Sequence, residues 1–150
     1  MTEIFFYHLQ NQPLEAALPR LLEKSLERGW RAVVQATSPE RLAALDDHLW
    51  TFSDESFLPH CTDREPDAAE QPVVLTLSDG NPNAAAIRFL VEGAPAPAEA
   101  ASYERLMVLF DGNDEEALAR AREQWKALKA AGHETTYWQQ DARGRWERKA

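Results

Sequence analysis

The chain has 150 residues, of which 44% are hydrophobic and 27% are charged, and this composition is ordinary for a water-soluble globular protein. Its single cysteine excludes an internal disulfide framework, and no apolar run approaches the roughly 20 residues that a membrane-spanning helix needs. The formal net charge of −9 argues against a protein that wraps nucleic acid, because such binding depends on neutralised phosphates. The first ten residues show no signal-peptide pattern, so we expect a cytoplasmic protein.

Strands and helices are predicted to alternate along the first 50 residues. The predicted elements are a buried strand over residues 4–7, a helix over 11–28, a strand over 31–37 and a helix over 38–50. Pro19 interrupts the first helical pattern, so this helix either begins near Leu18 or kinks at the proline. Ser38 followed by Pro39 is a typical helix start, with serine as the N-cap and proline in the first helical position.

The second half of the chain begins with residues 51–71, which have no sustained periodicity and are interpreted as a long connection. The later predicted elements are a central strand over residues 73–77, strands over 86–91 and 105–110, a helix over 113–132, and an edge strand or hairpin over 133–148 around Gly144. A short helix from Asn83 is an alternative to the strand over 86–91. The alternation predicts a single three-layer, Rossmann-like α/β domain over residues 1–150. It should have a mainly parallel sheet, helices on both faces, and the two early helices on one side.

The helix over residues 113–132 is the best specified in the chain. Asn113 is predicted to cap its first backbone amides, with Glu116 three residues later, and Gly132 is predicted to end it in the left-handed conformation. The apolar face of this helix consists of Leu118, Ala121, Trp125 and Leu128. A basic stripe beside it consists of Arg122, Lys126 and Lys129. Folding explains the apolar face but does not require the basic stripe.

Charge is distributed unevenly along the chain. Residues 1–116 contain 8 Lys/Arg and 21 Asp/Glu, whereas residues 117–150 contain 8 Lys/Arg and 4 Asp/Glu, a local balance of +4. A basic C-terminal quarter on an acidic protein indicates a site for a small anionic partner. A solvated helix face followed by a basic tail is the other interpretation that charge alone allows.

Patterns that would indicate catalysis or a bound cofactor are weak. The turn after the first strand contains no glycine, and a Walker A motif is absent, which argues against a nucleotide site. His60 and Cys61 are adjacent, but no family-specific thiol motif surrounds them, and sequence neighbours rarely face each other productively. The four histidines lack the spacing of metal ligands. We therefore expect no catalytic residue, no metal and no cofactor.

Several segments of the chain match a known family. They are FFYHL at the start, LPRLLEKSLERGWRAVV, RLAALDDHLWTFSDESFLPH, AREQWKALKAAGH, and YWQQDARGRWERK at the end. On these segments the chain closely resembles the chi subunit of the bacterial DNA polymerase III holoenzyme, part of the clamp-loader assembly. The matches span essentially the whole chain, and LW followed by SFLPH is the most specific of them.

The resemblance implies a non-catalytic α/β accessory subunit with two partners. One partner is the single-stranded-DNA-binding protein, whose acidic C-terminal tail ends in Pro-Phe, and the other is the psi subunit, which tethers chi to the clamp loader. By resemblance, Arg122 engages the terminal carboxylate of the tail, which a guanidinium can hold with two parallel hydrogen bonds. The resemblance also places Trp50 and Trp125 beside that pocket, where they could hold the terminal Phe.

The chain departs from the family pattern at both partner sites. The best-known member has a lysine where this chain has Leu118, so Arg120 or Lys126 is expected to supply the second charge of the tail pocket. At the psi interface, the best-known member is apolar where this chain has Asp111. The residues that the resemblance assigns to this interface are Phe57, Leu58, Phe110 and Asp111.

Two further functions remain open from the sequence. One is a small nucleotide-dependent enzyme built on the same sheet, which the missing glycine-rich turn disfavours. The other is direct binding of single-stranded DNA through the aromatic residues and the basic tail, which the net charge disfavours.

Overall fold

Strands and helices alternate in the folded chain much as the sequence predicts. The computed structural model describes residues 2–10, 12–52 and 58–150. The strands are β1 (Glu3–Leu9), β2 (Ala32–Gln35), β3 (Cys61–Thr62), β4 (Val73–Thr76), β5 (Ile87–Val91), β6 (Arg105–Asp111), β7 (Glu134–Gln140) and β8 (Trp146–Arg148). The helices are α1 (Leu14–Glu27), α2 (Pro39–Thr51) and α3 (Glu115–Ala130), with short 3₁₀ turns over Ala68–Glu70 and Ala100–Ser102. Within the described ranges, no helix combines the length and apolar character needed to cross a membrane.

The strands form one sheet with the order β3-β4-β2-β5-β6-β1-β7-β8. The pairings are parallel except for the last, where β7 and β8 make an antiparallel hairpin. Gly144, with φ +81°, lies in the turn of that hairpin. The predicted α/β class and the mainly parallel sheet are therefore confirmed.

Two apolar cores lie on opposite faces of the sheet. On one face, α1 and α2 pack through buried leucines that include Leu22 and Leu45. On the other, α3 packs through Ala121 and Leu128 against side chains that include Phe6 of β1. We call these the α1/α2 face and the α3 face. Helices on both faces, with the two early helices on one side, are as predicted.

Pro19 lies inside α1, contrary to the predicted possibility that the helix begins near Leu18. The helix begins at Leu14 and continues through the proline. Pro19 has no N–H to donate to the carbonyl of Glu15, four residues earlier. That carbonyl instead accepts a hydrogen bond from Nε2 of His48 on α2, at 2.6 Å. A contact between two helices thus compensates for the bond that the proline removes.

The N-cap of α3 also differs from the predicted residue. Asp114, not Asn113, is the N-cap, and its Oδ1 accepts a hydrogen bond from the amide of Glu116 at 3.0 Å. An aspartate is as good a cap as an asparagine, and its charge also complements the positive end of the helix dipole. The predicted end of the helix is confirmed, because Gly132 has φ +92°.

The region between α2 and β5 differs in part from prediction. Residues 51–71 contain β3 and a 3₁₀ turn, and residues 53–57 lie outside the described part. β4 is not central: it lies second from the edge, beside the two-residue β3. Its four residues are nevertheless buried, which explains their apolar character. The strand predicted over 86–91 is confirmed as β5, against the helical alternative.

Candidate functional site

α3 places an aromatic side chain over β1 and β7. The Trp125 ring lies edge-on to Phe6 of β1, with centroids 5.4 Å apart, and edge-on to Tyr137 of β7, with centroids 6.1 Å apart. Phe6 and Tyr137 lie side by side because they are paired in the parallel register of β1 and β7. Trp125 is half-buried, so part of its indole remains accessible to a ligand.

Arg122 lies one turn before Trp125 on the same side of α3, and it is exposed. Its positive charge acts to lower the pKa values of His8 and Tyr137. Since β6, β1 and β7 are parallel, α3 runs antiparallel to them, and the turn that carries Arg122 lies closer to the carboxyl end of β1, where His8 lies, than the turn that carries Trp125. We call Arg122, Trp125, His8 and Tyr137 the Arg122 surface.

The neighbouring turns of α3 add two lysines and a leucine to this side of the helix. Lys126 is exposed. The ammonium of Lys129 lies 5.7 Å from the centroid of the Trp125 ring, a cation–π distance. Leu118, one turn before Arg122, packs against the core of the α3 face. The Arg122 surface is therefore flanked by positive charge toward the C-terminus of α3 and by an apolar residue toward its N-terminus.

His8 and Tyr137 are members of this surface that sequence reasoning missed. Nδ1 of His8 and the hydroxyl of Tyr137 are hydrogen-bonded, and Phe110 of β6 packs on the imidazole with ring centroids 5.3 Å apart. Gly112 permits this placement, since a Cβ at that position would overlap the imidazole. The available signal was strand alternation, because His8 follows Phe6 by two residues and must share its face.

Burial keeps both groups of the His8–Tyr137 pair neutral. Desolvation lowers the pKa of His8 below 6.5; a hydrogen bond to Gln10 and the charge of Asp111 oppose the shift, and Arg122 reinforces it. Desolvation raises the pKa of Tyr137 above 10.0, and Arg122 opposes that shift. At neutral pH, Arg122 thus lies beside an uncharged imidazole and an uncharged phenol.

Arg120 lies on the other side of α3. Two residues along a helix correspond to a rotation of about 200°, so Arg120 and Arg122 cannot share a face. A Cβ placed on Gly93 would lie only 2.6 Å from Nη1 of Arg120, which shows that the guanidinium packs on the loop after β5. Gln124 reaches the same loop, because its Nε2 donates to the carbonyl of Ala94 at 3.1 Å. Arg120 is therefore not brought together with Arg122.

Trp50 lies at the end of α2, on the α1/α2 face. Its preceding residue, Leu49, is buried in the core of that face. Trp50 is 49% exposed, and the centroid of its ring lies 4.1 Å from that of the His60 ring. The expectation that Trp50 and Trp125 flank one pocket is not met, because the sheet separates the two helices that carry them.

The residues assigned to the psi interface are not brought together on one exposed surface. Phe57 lies outside the described residues. Leu58 and Phe110 are buried, with 2% and 5% of their surfaces exposed, in cores on opposite faces of the sheet. Asp111 is exposed at the end of β6, where its Oδ1 accepts a hydrogen bond from the amide of Asn113 at 2.9 Å.

A cleft of about 610 Å³ lies at the carboxyl ends of β1, β5 and β6, the place where α/β folds commonly bind nucleotides. Four carboxylates line it, those of Glu15, Glu92, Asp111 and Asp114. Arg41 is held between two of them, with Nη2 2.6 Å from Glu15 and Nε 2.8 Å from Glu92. Arg41 is thus already paired, and four carboxylates against two arginines, Arg41 and Arg120, give the lining a negative balance that disfavours phosphate groups.

His60 and Cys61 do not form a nucleophile–base pair. Nδ1 of His60 faces the carbonyl of Leu58 at 2.6 Å, and its Nε2 faces the carbonyl of Asp46 at 3.0 Å. Burial raises the pKa of the Cys61 thiol, and nearby carboxylates, that of Asp67 foremost, add to this shift. Both imidazole nitrogens are occupied and the thiol is kept protonated, so this pair is unsuited to nucleophilic chemistry.

The family model and the individual relatives that match this chain all point to the same family. The family described as "DNA polymerase III chi subunit, HolC" matches residues 1–136. A probable DNA polymerase III subunit chi from Rickettsia prowazekii is 31% identical over 91 residues, which are 61% of this chain and 55% of that protein. The DNA polymerase III subunit chi of Pseudomonas aeruginosa is 31% identical over 114 residues, which are 73% of this chain and 77% of that protein. This chain thus spans little more than half of the Rickettsia relative. Because the family match includes every described helix and six of the eight strands completely, the chain belongs to the DNA polymerase III chi subunit family.

Proposed function

We propose that this chain is a non-catalytic accessory subunit of DNA replication in the cytoplasm. It links the DNA polymerase III clamp-loader assembly to the single-stranded-DNA-binding protein by holding the acidic C-terminal tail of that protein. Family membership supports a place in the polymerase III assembly. The paired Arg41 in the strand-end cleft and the protonated Cys61 thiol support a role other than catalysis.

The observation that carries the proposal is an exposed arginine beside a half-buried tryptophan on an otherwise acidic protein. Arg122 can hold a terminal carboxylate through two parallel hydrogen bonds. Trp125, one turn away, offers an apolar surface to the side chain of a terminal Phe. Lys126 and Lys129 extend the positive charge along α3, where acidic residues of the tail would lie.

Removing the Arg122 side chain should weaken binding of the tail. We expect Arg122→Ala to cost about 1.5–3 kcal/mol of binding free energy, the scale of a hydrogen bond to a charged group. The dissociation constant for a synthetic acidic peptide ending in Pro-Phe is measured by calorimetry at fixed low salt. Arg120→Ala is the matched comparison, because it removes the same charge two residues away from the opposite side of α3.

The two variants separate a local site from a general effect of charge. A clearly larger loss for Arg122→Ala than for Arg120→Ala supports a site on the Arg122 side of α3. Equal losses would show that net charge alone matters. An unchanged dissociation constant in a folded Arg122→Ala protein would remove Arg122 from the site.

The peptide supplies a complementary test of the same contact. Amidation of its C-terminus keeps the Phe ring but removes the carboxylate, whereas deletion of the Phe removes the ring and moves the carboxylate. Both changes should weaken binding to the wild-type chain. Amidation should weaken binding less for Arg122→Ala than for the wild-type chain, because the cationic partner of the carboxylate is already missing.

The clamp-loader contact is proposed to include the exposed Asp111, which lies at the end of β6 next to the His8 side of the Arg122 surface. Since Leu58 and Phe110 are buried on opposite faces of the sheet, they are not expected to touch one partner surface together. Purification of the tagged chain from an extract of its source organism tests the linking role. Recovery of the single-stranded-DNA-binding protein without any clamp-loader subunit would contradict that half of the proposal.

A further inference from the structure

We propose that Tyr137, positioned by His8, donates a second hydrogen bond to the carboxylate that Arg122 holds, so that the three residues form one carboxylate-binding site. This inference rests on the proposed function and adds two residues to its binding site. Tyr137 is the residue that touches the ligand. His8 is a positioning residue that acts through the Tyr137 hydroxyl.

The sheet brings these side chains together from three elements. His8 lies near the carboxyl end of β1, and Tyr137 lies on the neighbouring β7, on the face that α3 covers. Their hydrogen bond joins Nδ1 of the imidazole to the phenolic oxygen, so the hydroxyl is fixed in position. Arg122 lies one turn before Trp125, whose ring packs edge-on to Tyr137, and its charge acts on both His8 and Tyr137. A carboxylate at Arg122 therefore has a fixed neutral hydroxyl nearby as well as a cation.

Other side chains near Arg122 are less suited to be the second group. Leu118 precedes Arg122 by one turn and has no hydrogen-bond donor. Arg120 packs on the loop at Gly93, on the opposite side of the helix. Lys126 is exposed and carries a flexible side chain that loses rotamer freedom when it is fixed. The Tyr137 hydroxyl is already ordered by His8, so its use costs less conformational entropy.

The proton in the His8–Tyr137 hydrogen bond decides whether Tyr137 can serve the ligand. If Nδ1 of His8 lacks a hydrogen, the hydroxyl donates to it and has no hydrogen left for a carboxylate. If Nδ1 carries a hydrogen, the imidazole donates to the phenolic oxygen and the hydroxyl hydrogen is released toward the ligand. Protonation of His8 makes the second arrangement the required one, because both imidazole nitrogens are then donors.

Proton uptake should accompany binding, because a bound carboxylate favours the imidazolium form of His8. In the unliganded chain, burial and Arg122 on α3 disfavour the cationic form of the imidazole. Gln10 after β1 and Asp111 on β6 favour that form. A bound carboxylate adds a negative charge and raises the pKa of His8 toward or above its ordinary value of 6.5. A group whose pKa rises on binding takes up protons, so affinity increases as the pH falls through this region. The peptide carboxylates stay ionised above about pH 5 and do not reverse the trend.

The test uses the full chain and a synthetic acidic peptide ending in Pro-Phe, with dissociation constants measured by calorimetry between about pH 7.5 and pH 5.5. Wild-type affinity should increase about three- to tenfold across this range, the effect of a pKa rise of up to about one unit. His8→Gln keeps a side chain that can hydrogen-bond to Tyr137 but does not titrate, so its affinity should change much less with pH.

Substitution of the tyrosine tests the second hydrogen bond directly. Tyr137→Phe keeps the ring and should weaken binding about three- to tenfold at the lower pH, the effect of one lost hydrogen bond. Tyr7→Phe is the matched control, because Tyr7 lies on β1 but points to the α1/α2 face. Thermal unfolding of each variant shows whether it is folded under the conditions of the measurement.

The outcomes separate this inference from the proposed function. If amidation of the peptide and Arg122→Ala weaken binding but Tyr137→Phe binds like Tyr7→Phe, the tail site stands and Tyr137 is not part of it. A wild-type affinity that does not change with pH, or changes equally in His8→Gln, overturns the role of His8. If the wild-type chain does not bind the peptide at any pH, the proposed function and this inference both fall.

Discussion

At the scale of single residues, the side chain that departs most from ordinary burial is Arg88 on β5. It is fully buried, and its guanidinium donates to the carbonyls of Ser78 and Gly80, to Oε1 of Gln35 and to the hydroxyl of Tyr103, at 2.6–3.0 Å. These four acceptors are all neutral. Two of them belong to the connection over residues 77–86, which is described throughout and contains no helix. Arg88 thus binds backbone carbonyls of a loop in a position where α/β folds usually place a packed helix.

Replacing Arg88 with an apolar residue should destabilise the fold. We expect Arg88→Met to lower the free energy of unfolding by about 2–4 kcal/mol, because it leaves the carbonyls of Ser78 and Gly80 without their donor. Urea unfolding followed by tryptophan fluorescence measures the change. Arg143→Met is the matched control, since Arg143 is exposed in the β7–β8 turn and should change stability by less than about 0.5 kcal/mol. Equal stability of the two variants would contradict the structural role of Arg88.

Single residues differ in whether their roles could be predicted from the sequence. Arg122 was predicted as a binding residue because its neighbours match a family, and the structure places it exposed beside Trp125. No motif assigns a role to His8 or Arg88, since a lone polar residue in an apolar strand has many explanations. His8 bonds Tyr137, 129 residues away along the chain, and Arg88 bonds Gln35, 53 residues away, and only folding brings these distant segments together.

At the scale of elements, α3 packs on the sheet through its apolar stripe and carries Arg120 and Arg122 on different sides. Its periodicity predicted the buried stripe correctly, because a period of 3.6 residues follows from the helix itself. The same geometry separates Arg120 from Arg122, although both were candidates for one pocket. The sequence could exclude that pairing in principle, since residues two apart never share a helix face.

The N-cap of α3 provides a test at this scale. Asp114→Ala should lower the free energy of unfolding by about 1 kcal/mol, because it removes the acceptor for the amides of Glu116 and Ala117. Asn113→Ala, which removes the cap residue expected from sequence, should cost clearly less. Chemical unfolding of both variants at neutral pH gives the comparison. A larger loss for Asn113→Ala would assign the cap to Asn113 after all.

At the scale of the whole molecule, the sheet divides the surface into two independent faces. Trp50 lies on the α1/α2 side, and Arg122 and Trp125 lie on the α3 side. Because substitutions at well-separated sites act independently, we expect a change at Trp50 to leave binding at the Arg122 surface unchanged.

We therefore expect Trp50→Ala to change the affinity for the tail peptide by less than about twofold, within the usual additivity error of distant sites. The measurement is calorimetry under the conditions used for Arg122→Ala. A loss comparable to that of Arg122→Ala would show that the tail reaches both faces. In that case the ligand would have to pass around the edge of the sheet.

The sequence by itself determined the α/β class, the succession of helices and strands along the chain apart from β3, the buried stripe of α3 and the family. These properties follow from local periodicity, from capping and turn residues, and from short motifs, all of which act over a few neighbouring positions. Only the tertiary structure decided which candidates share a surface: it joined His8 to Tyr137 beside Arg122, moved Arg120 to the Gly93 loop and put Trp50 across the sheet. The physical reason is that strand order and helix placement depend on contacts between distant segments, so the neighbours of a side chain are set by the packed sheet. The helix over residues 113–132 was visible from its pattern, but the groups that its arginine faces were not.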